Sequence, residues 1–121
     1  ITIYCIYNAE GSIIGELKYL LLKYFYGFKC SMCEITHNSF SEKKEWRNQI
    51  SQSSYTIKAV HLDEQPDDLY QFSIGKAPCV VVENSKGFKL IFTSDELNNF
   101  KGDVQQFFNK LDMKAKLILS Q

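Results

Sequence analysis

At 121 residues, with 45% hydrophobic and 23% charged side chains, the chain is long enough to bury a core without disulfide or metal staples, and it reads as a single domain over 1–121. Fourteen basic and fourteen acidic side chains cancel, and Arg47 is the one arginine, so a nucleic-acid groove is not expected. No apolar stretch approaches the ~20 residues of a membrane span, and four cysteines with no targeting segment in view favour a reducing, cytoplasmic setting.

Residues 1–7, Ile-Thr-Ile-Tyr-Cys-Ile-Tyr, have no polar alternation, which predicts a central strand buried on both faces, with Cys5 in the core. Asn8 to Ser12 breaks it. A helix is expected from about Ser12 to Tyr26, with one apolar stripe through Ile13, Leu17, Leu20, Leu21, Tyr24 and Phe25. Tyr19, Leu22 and Tyr26 form a second stripe. It is either covered by the following segment or open to a protein partner or a second copy of the chain. Gly27 ends the helix, and 28–38, which contains Cys30-Ser31-Met32-Cys33, fits no periodicity.

Ser39-Phe40-Ser41-Glu42 has capping-box spacing and predicts a helix to about Ser51, its apolar side reduced to Phe40, Trp46 and Ile50. Tyr55 to Leu62 reads as the second strand, and Asp67 to Ser73 as one or two helical turns. Pro78 can stand only at the mouth of a strand, because it has no N–H for the ladder; the third strand then runs through Cys79 to Val82. Asn84 to Gly87 turns the chain, and Phe88 to Phe92 returns. A short helix follows the capping signal Thr93-Ser94-Asp95-Glu96. A last helix carries Val104, Phe107, Phe108, Leu111, Ala115 and Ile118 on one face.

With one helix and its insert set aside, this order is βαβ followed by ββα. Ile74-Gly75-Lys76-Ala77-Pro78-Cys79-Val80 resembles the thioredoxin segment in which a cis-proline precedes the third strand, and Lys86-Gly87 resembles the hairpin turn after it. The resemblance covers 1–10 and 55–119. It implies a thioredoxin-like α/β fold, a four-stranded mixed sheet flanked by helices, with a helix-plus-Cys-x-x-Cys insertion at about 26–40 between strands one and two. In such a sheet the carboxyl ends of the first two strands meet the amino end of the third. The binding edge then collects Asn8, Glu10, His61, Pro78 and Cys79. The family places its Cys-x-x-Cys directly after the first strand, but here Asn8 to Ser12 holds no cysteine. The connections instead require the insert to climb back along the sheet, leaving Cys30 and Cys33 partway up and His37 near the edge.

Cys30 and Cys33 are therefore candidates for a catalytic or sensing dithiol built on a local helix start, with Cys79 across the edge and no cofactor needed. A zinc knuckle, Cys30-x-x-Cys33-x-x-x-His37 completed by His61, Cys79 or a carboxylate, is the alternative. The third reading is small, soft side chains that pack the insert onto the Tyr19/Leu22/Tyr26 face, in a domain that acts by protein interaction alone. His61 is expected to be satisfied by a carboxylate such as Asp63. Glu10 with Asp63 or Glu64 is a further acid/base pairing.

Tyr7-Asn8-Ala9, the long helix, Cys-x-x-Cys-Glu-Ile-Thr-His and the Trp46 helix also resemble a set of small bacterial proteins without assigned activity, some labelled GTPase. A P-loop needs Gly-x-x-x-x-Gly-Lys-Ser/Thr, and Gly11-Ser12-Ile13-Ile14-Gly15-Glu16 lacks both the spacing and the lysine.

Overall fold

The computed structural model describes residues 1–7, 31–36 and 43–120. They form a mixed four-stranded sheet, order β2-β1-β3-β4, flanked by helices. The strands are β1 (Thr2–Ile6), β2 (Thr56–Val60), β3 (Cys79–Asn84) and β4 (Gly87–Phe92). The helices are α1 (Ser31–Thr36), α2 (Lys44–Gln52), α3 (Asp67–Ser73), α4 (Ser94–Asn99) and α5 (Val104–Leu119).

β1 pairs parallel with β2 and antiparallel with β3, and β3 pairs antiparallel with β4. The unbroken apolar run at the amino end is explained by this position, since a strand with neighbours on both sides and layers on both faces has no solvated side. On one face Ile3, Cys5 and Tyr7 join Val80 and Val82 in the larger core, with Met32, Ile35, Trp46, Leu97, Phe107 and Leu111 from the helices above. On the other face Tyr4, Ile6, Cys79 and Val81 pack against Leu69, with Leu62, Phe72 and Phe88 at the margin. Burying each such side chain fully stabilises the fold by about 1.5–3 kcal/mol.

The hairpin turns where expected. Asn84 Oδ1 accepts from the Lys86 amide at 2.8 Å, and Gly87 holds φ at 112°, a conformation that a Cβ would strain. The Ala77–Pro78 bond is cis, as the fold reading required.

Two elements differ from expectation. The insert was expected to be irregular, yet Ser31–Thr36 is helical, with Met32, Ile35 and Thr36 fully buried. Those positions are i, i+3 and i+4, a helical period too brief to stand out in a six-residue element. The second helix begins at Lys44 rather than Ser39, and its N-cap Lys43 makes no side-chain cap. The Lys43 amide donates to the Thr36 carbonyl at 2.7 Å, and its ammonium donates to the Gly102 carbonyl at 2.7 Å. The Ser39–Glu42 capping box itself lies outside the described residues. The expected helix over 12–26, with its Tyr19, Leu22 and Tyr26 face, lies outside them too. No described helix is long and apolar enough to cross a membrane.

Candidate functional site

Register fixes what meets at the carboxyl end of β1. Ile6 pairs with Val60 on one side and Cys79 on the other. One residue further on, Tyr7 therefore lies between His61, which follows β2, and the cis-linked Pro78, which precedes β3. The Tyr7 amide donates to the Val60 carbonyl at 2.9 Å, extending the ladder to this point. Its ring packs on the His61 imidazole, centroids 5.0 Å apart and tilted by 58°.

The Tyr7 hydroxyl reaches α1. It donates to Thr36 Oγ1 at 2.9 Å in a buried contact between residues 29 apart in sequence. The end of α1 is thereby tied to the strand end that His61 and Pro78 flank. Cys33 belongs to α1, and the described part of that helix starts directly after Cys30 in sequence.

His61 opens the 3-10 turn Leu62–Glu64, and its amide donates to Glu64 Oε1 at 3.0 Å. The same carboxylate oxygen accepts from His61 Nδ1 in a short contact. A carboxylate such as Asp63 was expected to satisfy His61, and Glu64 supplies one, because in a 3-10 turn the residue three positions on lies over the first. His61-x-x-Glu64 also has capping-box spacing, the signal that could have found the pair. Glu64 is held below the usual carboxylate range, chiefly by the His61 amide and then by the imidazole bond. A carboxylate can only accept, so Nδ1 carries the hydrogen, and in the neutral ring the lone pair is on Nε2. Nε2 is buried and has no hydrogen-bond partner among the described residues.

The turn is braced from beneath. Ser73 Oγ, at the end of α3, donates to Gln65 Oε1 at 2.5 Å, and Gln65 Nε2 donates to the Leu62 carbonyl at 3.1 Å. A cleft of ≈ 320 Å³ lies beside this brace, lined in part by Leu62, Tyr70, Ile74 and Gly75.

Cys79 does not present its sulfur at the edge. It is fully buried in the smaller core, and burial pushes its thiol up to about 11, against a weaker opposing pull from Lys76. Cys5 is fully buried in the larger core, and burial raises its thiol further. Of the residues singled out from sequence, the structure brings His61 and Pro78 to either side of Tyr7. Asn8, Glu10, Cys30 and His37 lie outside the described residues, and Cys33 is placed by its helix alone. The Tyr7–Thr36 link was not anticipated, and the carboxylate expected at His61 comes from Glu64. No protein-family model, curated protein or solved structure matches this chain.

Proposed function

We propose that this is a thioredoxin-like domain that exchanges thiols with disulfides, or senses their oxidation, through Cys30 and Cys33. The observation that carries the reading is the seating of α1. A short helix that includes Cys33 and follows Cys30 is tied by Thr36 to Tyr7, at the strand end flanked by cis-Pro78. A cysteine at a helix start has its thiolate stabilised by the unpaired amides and partial positive charge there.

In the exchange one of the two thiolates attacks a disulfide of another molecule, forming a mixed disulfide and expelling one sulfur as thiolate. The second cysteine then attacks the mixed disulfide, releases the other sulfur and closes the Cys30–Cys33 bond. Two electrons pass to the substrate, and the protons of the two cysteines go to solvent or to the departing thiolates. Cys5 and Cys79 take no part, since their thiols stay protonated and enclosed at neutral pH.

The test is mass spectrometry of the reduced native protein after exposure to oxidised glutathione near pH 7. The expected product is an internal Cys30–Cys33 disulfide, reversed by dithiothreitol, while Cys5 and Cys79 resist alkylation until the chain is unfolded. Inert Cys30 and Cys33 in the native protein would rule the reading out.

A further inference from the structure

We infer that the outer edge of β2 takes a short extended segment of another protein as an added antiparallel strand, one that sets an aspartate or glutamate opposite Lys58. Nothing in this depends on the thiol reading.

Among the described residues β2 and β4 are the outer strands of the sheet, and the ladder leaves one side of each unpaired. On β4 the Lys114 ammonium occupies that side, donating to the Ile91 carbonyl at 3.0 Å while it pairs with Glu96. β2 differs. The Tyr7 amide donates to the Val60 carbonyl, so Val60 turns its backbone polar groups toward β1. Successive residues of a strand turn theirs to opposite sides, so Thr56 and Lys58 also face β1, and Ile57 and Ala59 face away from it. The outward amides just beyond them are taken locally. The Tyr55 amide donates to Ser53 Oγ at 3.2 Å, and the His61 amide to Glu64 Oε1 at 3.0 Å. Between these two seals the N–H and C=O groups of Ile57 and Ala59 stay open, a window that about three residues of an added strand would span.

The side chains choose the occupant. Ile57 packs against the larger core and Val60 against the smaller, and the exposed Lys58 is the only charge on β2. A second copy of the chain, pairing antiparallel, would use the whole window only with Ile57 facing the copy's Ala59. That register sets Lys58 directly opposite the copy's Lys58, in a close pair without backbone bonds, where like charges are destabilising. A carboxylate at the same place makes a cross-strand ion pair instead. Apolar residues on either side of it fall beside Ile57 and Ala59 on the opposite face. Asp63 and Glu64, just past the end of β2, repel a second carboxylate at that end and so confine the acid to the Lys58 position.

The experiment is an amide NMR titration of the full chain with the synthetic peptide acetyl-Thr-Val-Glu-Val-Thr-amide. Saturable shifts and slowed hydrogen exchange are expected at the Ile57 and Ala59 amides, with exchange at the Lys58 amide, which faces β1, unchanged. The same peptide with lysine for glutamate should bind about 2–5-fold more weakly, and Lys58→Glu should reverse that order. Methylating the two valine nitrogens should abolish binding, because those N–H groups meet the open carbonyls. No protection at Ile57 and Ala59, binding undiminished by N-methylation, or an unchanged peptide order in folded Lys58→Glu overturns the inference. The comparison of the three peptides on wild type decides it even if that variant does not fold. A dimer in sedimentation that protects the same two amides also overturns it, by giving the edge to a second copy.

Discussion

Cys5 and Cys79 sit on adjacent strands but belong to opposite faces of the sheet, one in each core. Enclosure keeps both as thiols, by making the charged thiolate costly. For Cys79 the sign follows directly. Its protonated form is favoured by folding, so its contribution is intact below the ordinary 9.0 and is lost as pH rises toward about 11. Glu96 works the other way. The Lys114 ammonium, first among its partners, and the Thr93 amide hold its carboxyl below the ordinary 4.5. Its contribution is present above that value and lost as pH falls through the lower folded one. Glu96→Gln should therefore flatten the acid limb of a stability–pH profile measured by urea titration, leaving the limb above pH 7 unchanged. An unaltered acid limb would show that the pair is screened by solvent.

The six residues of α1 could not hold a helix in isolation, because nucleation outweighs so few internal bonds. Three tertiary devices hold it. Met32 and Ile35 are buried in the larger core, the Tyr7 hydroxyl donates to Thr36, and the Thr36 carbonyl receives the Lys43 amide. α4 contrasts with it, since its capping box is local. Thr93 Oγ1 accepts from the Glu96 amide at 3.2 Å, and Glu96 Oε1 accepts from the Thr93 amide at 3.1 Å. Tyr7→Phe removes one buried hydrogen bond and should cost about 0.5–1.5 kcal/mol by denaturant unfolding. If α1 depends on that link, amide exchange should speed up first over Ser31–Thr36. Uniform acceleration across the sheet would show that the bond serves the whole core rather than the helix.

Over the whole molecule, the larger core is tied together by aromatic rings. Phe107 of α5 meets Trp46 at 5.5 Å, Phe92 at 5.6 Å, Phe100 at 5.7 Å and Phe108 at 5.2 Å between centroids. Trp46 is fully buried, is the only residue of α2 that is, and packs on Phe107 and Phe108 of α5, while Gln49 Nε2 donates to Gln105 Oε1 across the same pair of helices at 3.2 Å. Trp46→Ala should cost about 3–5 kcal/mol, a large part of the ~5–15 kcal/mol that holds a domain of this size. Trp46→Phe should cost less, because the indole Nε1 is itself buried without a hydrogen-bond partner among the described residues. Equal losses for the two, compared by urea midpoint, would show that ring shape rather than the unpaired N–H governs the site.

Local chemistry was sufficient for β1, the hairpin at Gly87, the Thr93 capping box, the apolar face of α5 and the strand-opening Pro78. Each is written in a few adjacent or periodically spaced residues, so composition and spacing alone determined them. The cis bond before Pro78 was expected from family likeness and is present in the structure. The site required more. Tyr7 finds Thr36 across 29 residues, His61 meets Tyr7 through strand pairing, and α1 is helical because the core above the sheet accepts it. Such contacts depend on which strands become neighbours, and that is settled when the chain buries its apolar surface collectively rather than by any single stretch of it.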